Sequence, residues 1–589
     1  MIDLLPPAFI FIFGALLVPL LPGKIKSVYM LMLPVLSFFY LVNMMPDSSW
    51  QLDFLGFDLM PFKVDRLSLL FAYIYHLISL IGIIYTLNLK NDLEKVSSLV
   101  YAGSALGVVF AGDLFSFFVF WEMLTVSALA LIWARRTKGS QAAGFRYLMV
   151  HVFGGLVLLA GIIMYINEQQ SIALGYIGLS NPATYLIFFG MGINAAWPFV
   201  HTWLTDSYPE ATIGGAVFLS AFTTKTAVYA LARAFPGTEM LIWIGATMTV
   251  FPIFFAVIEN DLRRVLSYSL INQVGFMMVG IGIGTELAIN GTAAHAFAHI
   301  LYKSLLFMSM GAVIFRTDKI KATDLGGLYK SMPWTAFFCI IGALSILAFP
   351  LTSGFVSKTM VIDAAAHGHL AIVWLVLLFA SASAFLPDIK VPFFAFFSRD
   401  GGHRVNEAPL NMLLAMGAAS FLCIFIGVYP QLLYAILPYP VDFTPYTFSH
   451  VIGKLQLLIF AALAFTLLLQ AGIYPAEIRA INLDSDLLYR KGGRWFYLLA
   501  DKLFNGLNQV AELVFIKGIT GTVARFGQNG PAHLANLVMT PVWFLTLDQE
   551  QRRKEKTHLY RNFSSGTMGL AVMAVFVSLF LGLIFVFSF

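Results

Sequence analysis

Charge is what this chain has least of: Asp, Glu, Lys and Arg together make up 11% of its 589 residues, against 59% hydrophobic residues. That is too little polar surface to coat a water-soluble globule, and a mean hydropathy of +0.82 places the chain among polytopic membrane proteins. Cysteine is nearly missing as well. Cys339 and Cys423 lie in separate apolar stretches without paired spacing, which excludes a disulfide framework and a cysteine-based metal site. No phosphate loop, dinucleotide fingerprint or haem motif occurs. No cofactor and no autonomous chemistry are therefore expected, and energy for any ion movement has to come from a partner or a gradient. The net charge of +5 sits in short loops between apolar segments, so topology accounts for it without a nucleic-acid partner. The N-terminal stretch lacks the basic start and small-residue cleavage site of a signal peptide, and its apolar run reads as a first span.

Windows of about 20 apolar residues predict roughly 14 to 16 spanning helices. They fall near 4–21, 28–45, 67–87, 97–111, 114–134, 145–165, 183–203, 213–235, 240–258, 265–284, 288–315, 334–366, 370–387, 408–429, 451–472 and 566–588. Basic residues such as Lys24, Lys90, Arg135, Arg263 and Lys319 follow the odd-numbered spans, and the other connections carry almost none. By the positive-inside rule the N-terminus is outside, in what reads as a bacterial cytoplasmic (inner) membrane. Two spans are expected to be discontinuous. Pro198 interrupts the apolar run after Asn194, and Pro350 with Gly354 interrupts the run ending at Lys358. Proline removes a backbone donor and clashes with the preceding turn, so each helix opens there. A plain proline kink is the simpler alternative. Paired interruptions in two halves of a chain point instead to an internal repeat with the pathway at the breaks.

Against this apolar background, six ionisable residues stand out within long hydrophobic stretches: Glu122, Lys225, His295, His299, Lys303 and Lys358. A charge in hydrocarbon is costly, so such groups face a bundle interior or a water-filled path. Glu122, with aromatic neighbours, and Lys225, among small and hydroxyl residues, form a candidate carboxylate–amine switch. The alternative is a static ion pair locking two helices. His295, His299 and Lys303 recur every fourth residue, which stacks them on one helix face about 6 Å apart per step. Histidine titrates nearest neutrality and suits a proton relay. Zinc binding by the two histidines competes with that reading, but no glutamate follows His295 and no third ligand is evident in the segment.

Taken together, FWEMLTVSALALI, AAWPFVHTWLTDSYPEA, FTTKTAVYALAR, HAFAHILYKSLLF and FPLTSGFVSK resemble the antiporter-like proton-channel subunits shared by Mrp-type cation/proton antiporters, respiratory complex I and membrane-bound hydrogenases. The likeness runs from about Asp65 to about Lys358 in consistent order. It implies an all-α bundle with two inverted five-helix repeats, each with a broken helix, joined by a hydrophilic axis. On that axis Glu122 matches the essential glutamate, Lys225 a connecting lysine, His295, His299 and Lys303 the central relay, and Lys358 the broken-helix lysine on the exit side. One position departs from the family. Where it carries a lysine at the first broken helix, this chain has Asn194, so Glu122 is expected to meet a charge across a subunit boundary, or Lys225 through water.

This reading divides the chain into N-terminal helices (1–96), a first repeat (97–235), a second repeat (240–387), C-terminal helices (388–473), an amphipathic segment (474–563) and a final anchor (564–589). In the amphipathic segment Trp495, Leu498, Leu499, Leu503, Leu507, Val510, Leu513 and Val514 recur at helical spacing. The segment resembles the lateral helix of the largest antiporter-like subunit of complex I, with interruptions expected at Gly492–Gly493 and from Gly527 to Pro531. A helix that merely rests on lipid is the alternative. Functionally, the sequence points to a proton-translocating subunit of a multi-subunit Mrp-type antiporter, handling protons, with Na+ or K+ as candidate coupled ions, among other membrane subunits and lipid. A proton-conducting arm of a redox-driven complex and a non-conducting scaffold are the two alternatives.

Overall fold

The computed structural model describes residues 6–44, 47–54, 56–475, 477–479, 482–563 and 577–581. It is helical throughout apart from one antiparallel hairpin, β1 (Ser49–Phe54) with β2 (Phe57–Lys63). Before the hairpin come α1 (Pro7–Leu17) and α2 (Gly23–Val42). After it follow α3 (Arg66–Thr86), α4 (Asp92–Phe110), α5 (Leu114–Trp133), α6 (Lys138–Gln169), α7 (Pro182–Asn194), α8 (Thr202–Ser207), α9 (Ile213–Ala221) and α10 (Thr223–Ala234). The chain continues through α11 (Glu239–Ile258), α12 (Leu262–Ile283), α13 (Glu286–Thr317), α14 (Pro333–Ile346), α15 (Ser353–His367), α16 (Ala371–Ser383) and α17 (Phe385–Pro392). Then come α18 (Leu410–Val428), α19 (Gln431–Tyr434) and α20 (Phe448–Gln470).

Local chemistry sets where these helices start. The side chains of Asp65, Thr137 and Asn181 each accept from the backbone N–H three residues on, and Ser68, Ser140 and Thr184 return the bond, closing three capping boxes. Asp113 and Asp261 cap α5 and α12 in the simpler way. Such caps matter more in a membrane than in water, because the first turn of a helix has no solvent to satisfy its free N–H groups.

Among the described residues, 12 helices are long and apolar enough to cross a membrane. Two shorter apolar helices, Pro7–Leu20 and Pro333–Ile346, stand beside them, and the expected 14 to 16 counted these stretches and the last span as well. The N-terminal apolar helix is short, and the stretches at 183–203 and 334–366 are each divided into shorter helices. The expected final span at 566–588 lies almost entirely outside the described residues.

The two divisions share one backbone pattern. Ala196-Trp197-Pro198-Phe199 follows α7, and Ala348-Phe349-Pro350-Leu351 follows α14. In each, the alanine and the residue after proline adopt left-handed backbone: φ is 60° at Ala196, 70° at Phe199, 56° at Ala348 and 70° at Leu351. Non-glycine residues in that region cost on the order of 1–3 kcal/mol each. Proline explains why helix is abandoned there: it donates no hydrogen bond and pushes the preceding residue away from helical geometry. Gly354, in the first turn of α15, packs against the Ser345 carbonyl so closely that a Cβ would collide with it.

The basic connections gather on one face. Lys26 pairs with Asp92 at 2.7 Å, Arg135 donates to the Pro209 carbonyl at 2.7 Å, and Arg263 donates to the carbonyls of Ala211 and Thr212 at 3.2 and 3.1 Å. Asn260 donates to Thr323 at 3.2 Å. After α20 the chain returns along this same face as an extended strap. Glu477 pairs with Lys390 at 2.7 Å, Arg479 with Asp324 at 2.7 Å, and Asn482 donates to Glu259 at 3.0 Å.

A second compact unit covers residues 487–589. There α21 (Asp486–Ala511) carries apolar residues on one side and runs straight through Gly492 and Gly493. α22 (Gly521–Thr546) likewise runs through Gly527 and Pro531. The interruption expected at those positions is therefore corrected: between the two helices lies instead a wider, π-type stretch, Glu512–Thr520. α23 (Gln549–Phe563) packs back on α22, with Tyr560 hydrogen-bonded to His533 at 2.7 Å.

Candidate functional site

Five of the six sequence candidates are buried in the middle of the bundle. Lys225, His295, His299 and Lys303 are 0% exposed and Lys358 is 1% exposed. Each lysine is held differently. Lys225 lies just past the junction of α9 and α10 and donates to the Ser220 carbonyl at 2.6 Å and to Thr224 Oγ1 at 3.1 Å. Lys358 reaches back across the second break to the Ile346 carbonyl at 2.8 Å and lies 4.9 Å from the centre of the Phe276 ring. Both therefore cap carbonyls at the end of an interrupted helix, where the backbone carries partial negative charge and lacks its own donors. A break in a helix thus creates the counter-charge that a buried ammonium needs.

Lys303 has a true counter-ion, reached through a hydroxyl. Its Nζ donates to Ser269 Oγ at 2.8 Å, and Ser269 Oγ in turn donates to Asp388. Asp388, on α17, is 1% exposed, and its second carboxylate oxygen has no protein partner. The sequence reading missed Asp388, although an aspartate in the apolar run VWLVLLFASASAFLPDIKVPFF is the kind of signal that singled out the other six. Lys390 and Lys454, also buried, were missed in the same way.

One turn and two turns before Lys303, the histidines complete the line on α13. His295 Nδ1 lies 3.2 Å from Ser357 Oγ, and the rings of His295 and His299 are 6.3 Å apart. Both ring nitrogens of His299, Nε2 of His295, the Tyr302 hydroxyl and Gln273 Oε1 are buried without protein partners. Buried polar atoms of this kind are normally satisfied by water. Toward the first half the line continues through Ser220 Oγ and Ser304 Oγ, 3.5 Å apart. Among the described residues, no group of three or more His, Cys, Asp or Glu is placed to hold a metal.

Glu122 stands apart from this line. It is partly exposed, and its Oε1 has no partner. Its carboxyl rests on Gly155 of α6, where any side chain would occupy the same space. The neighbouring Gly154 receives Ile193, beside Asn194 at the end of α7. No hydrogen bond or ion pair joins Glu122 to Lys225. Asn194 is 2% exposed, with its amide nitrogen unpartnered. His151, which the sequence reading also passed over, fills out this corner. It stacks on Tyr147 at 3.9 Å and meets the edge of Trp203 at 4.5 Å, and Trp203 donates to the Ile193 carbonyl at 2.9 Å.

The first break is also tied to the strap. His201 Nε2 lies 3.1 Å from Asp484 Oδ2, and Tyr268 donates to the same oxygen at 2.6 Å. Burial alone would raise the Asp484 carboxyl, but the contacts from His201 and Tyr268 outweigh it and hold the group below the usual carboxylate range. Ser485 donates to the Phe199 carbonyl at 3.3 Å. The segment that leaves α20 is therefore latched onto the left-handed turn of the first break.

With this geometry in view, comparison with known proteins is informative. Residues 111–385 match the family model described as NADH:quinone oxidoreductase/Mrp antiporter, transmembrane. That stretch contains all six sequence candidates and both breaks. The chain is 33% identical over 314 residues to an Na(+)/H(+) antiporter subunit of Alkalihalophilus pseudofirmus, covering 49% of this chain and 63% of that one. It is 25% identical over 415 residues to Hydrogenase-4 component B of Escherichia coli, covering 62% of each. It therefore spans somewhat less than two thirds of the length of these curated relatives. In fold it is similar to a chain of the membrane-bound sulfane sulfur reductase, an archaeal respiratory membrane complex, with a TM-score of 0.69 at 22% identity over 89% of this chain and 98% of that one.

Proposed function

We propose that this multi-pass membrane protein is an ion-translocating subunit of a multi-subunit cation/proton antiporter of the Mrp type, moving protons along its buried polar line. The observation that carries the reading is the burial of these ionisable and hydroxyl groups together in the bundle. Lys225 bonds to Ser220, whose hydroxyl lies 3.5 Å from Ser304; Lys303 bonds to Ser269 and through it to Asp388; His299 and His295 stand on the same helix as Lys303, and His295 meets Ser357, the neighbour of Lys358, all of them buried in the bundle. Such groups are costly in hydrocarbon and are retained where charge has to pass. Likeness to an Na(+)/H(+) antiporter subunit supports a sodium gradient as the coupled partner.

Helix direction supports the inverted repeat. From α4 to α10 and again from α11 to α17 the chain crosses five times, and the fourth crossing is the interrupted one in both. The first interrupted crossing, α7–α8, runs toward the basic face, and the second, α14–α15, runs away from it. With the basic face cytoplasmic, the N-terminus lies outside, in a bacterial inner membrane. The partners are then other membrane subunits, and the amphipathic α21 lies along the membrane surface among them.

The test is purification of the intact assembly from its native membrane, with metal and flavin analysis and a vesicle assay of proton movement. The reading expects sodium- or potassium-dependent proton exchange without iron or flavin. The likeness to Hydrogenase-4 component B and to the sulfane sulfur reductase chain favours a second reading, the proton-conducting arm of a redox-driven complex. Iron or flavin in the assembly, with exchange driven by electron transfer, would decide for it. Exchange left intact in each of Lys225→Ala, Lys303→Ala and Lys358→Ala would leave only a scaffold role, which Asn194 in place of the family lysine makes conceivable.

A further inference from the structure

Beyond Lys358 the polar line described so far ends, yet the structure provides a way out. A cavity of about 510 Å³ lies between α15, α16 and α20, on the face opposite the basic connections. Its inner wall includes Thr359, the residue after Lys358, and Lys454 of α20. At about 30 Å³ per molecule it has room for on the order of ten waters. Lys454 is only 6% exposed and donates to Ser381 Oγ at 2.6 Å, and the charge on Lys358 acts on it electrostatically.

Further out, titratable groups follow with rising exposure. One turn before Lys454 on the same helix, His450 lies 3.7 Å from Asp363, with side-chain exposures of 25% and 23%. Asp363 also lies 3.3 Å from His367, whose side chain is 73% exposed. Lys454, His450 and Asp363 thus line one cavity, and His367, paired with Asp363, stands outside it at the surface. The mixture of signs decides what the cavity handles. A cradle for an anionic headgroup would not present Asp363, and a cage for a metal cation would not present the buried Lys454. Groups of both signs around water suit a proton.

We infer that this cavity is the water-filled outer vestibule of the proton path and that Lys454 is the proton carrier between Lys358 and the Asp363–His450–His367 mouth. The inference rests on the translocation reading above. In the step it describes, the proton leaves the Lys358 ammonium through water and is taken up by the neutral Lys454 amine. Lys454 then releases it to the Asp363–His450 pair and on to bulk water, returning to the neutral amine. Two ammonium groups in one buried site repel each other, so a single proton shared between them is the low-energy arrangement.

Two measurements on the intact complex test this. In the first, Thr359→Cys is treated with a membrane-impermeant methanethiosulfonate reagent applied to one side of sealed vesicles at a time, with the parent protein, whose Cys339 and Cys423 are buried, as the control. Labelling from the face opposite the basic connections, and not from the basic face, is expected. Reaction with a lipid-soluble maleimide alone would make the cavity a lipid groove and overturn the inference. In the second, Lys454→Met is expected to lower proton movement at least tenfold with the complex still assembled, and Lys454→Arg to recover little of it. Full transport in Lys454→Met would overturn the carrier role. Should Lys454→Met fail to assemble, Ser381→Ala, which removes only the hydroxyl holding Lys454, is expected to slow transport several-fold, and an unchanged rate would overturn the role. If labelling and Lys454 behave as stated, the vestibule stands. If instead Lys225→Ala, Lys303→Ala and Lys358→Ala each transport normally while Thr359→Cys is labelled from water, it is the translocation reading that fails.

Discussion

The two interrupted apolar stretches, α7–α8 in the first half of the bundle and α14–α15 in the second, break with the same four-residue pattern, alanine, aromatic, proline and apolar residue, yet put different chemistry beside it. In the second half, ten residues past Ala348, stands the buried Lys358, bonded to a carbonyl that the break leaves free. In the first half, ten residues past Ala196, stands Asp206, which pairs with Arg146 of α6 at 2.5 Å. There the break holds a latch, His201 with Asp484, and no buried lysine within α7 or α8. The comparison teaches that a broken helix supplies a backbone counter-charge in either half, but only the second half uses it on the break itself. The first half places its lysine in the next helix pair, at the junction of α9 and α10.

If that contrast carries function, the largest effect belongs to the second half. Lys303→Ala leaves Asp388 buried without its cation, and removing one member of such a linked pair costs about 3–5 kcal/mol locally. Proton movement in vesicles is expected to be abolished, with Asp388→Asn close behind. Replacing both, which removes the uncompensated charge, should restore assembly but not transport, as read by co-purification of the other subunits. Lys358→Met is next: proton movement is expected to fall at least tenfold, whereas Asp206→Asn, at the matching position of the first half, should leave transport within about twofold. Equal losses in the two would erase the distinction drawn between the halves.

Another substitution tests the corner around Glu122. Asn194→Lys places an amine on the α7 side of the glycine pair on which Glu122 and Ile193 rest. Glu122 is expected to lose reactivity toward an apolar carbodiimide, measured by mass spectrometry of the labelled peptide, and transport is expected to change. Unchanged reactivity and unchanged transport would show that Glu122 has no special arrangement in this chain.

The smallest effect concerns the latch. The Asp484 carboxyl, at 7% side-chain exposure, is held below its ordinary range by His201 and Tyr268, despite burial acting the other way. A depressed carboxyl contributes stability that is complete above its unfolded value, about 3.9, and is lost as pH falls through the lower folded value. Protection of residues 477–479 and 482–485 against hydrogen exchange, relative to the intrinsic rate at each pH, should therefore be constant from pH 7 down to about 4, then fall below that. Asp484→Ala should lower that protection by the equivalent of about 1–3 kcal/mol above pH 4, and by less at lower pH, where the carboxylate's own contribution is lost. Loss of protection beginning well above pH 4 instead would show that the Asp484 carboxylate does not set the latch.

The membrane class, the helix positions and both breaks were legible in the sequence because they depend on local chemistry. Apolar runs, capping residues and prolines act on their own few turns of backbone. The stacking of His295, His299 and Lys303 was legible for the same reason, since four residues make nearly one turn of any helix. Asp388, Lys390 and Lys454 carried the same signal, a charge in an apolar run, but lay beyond the family-like motifs and were passed over. What stayed hidden was pairing. That Lys303 meets Asp388 through Ser269, that Lys225 and Lys358 choose carbonyls rather than Glu122, and that Asp484 closes on His201 all join residues far apart in the chain. Sequence by itself determined which groups are too costly to leave in lipid. Only the tertiary structure decided which partner relieves each of them, because that depends on which helices pack together and on where a break leaves a carbonyl free.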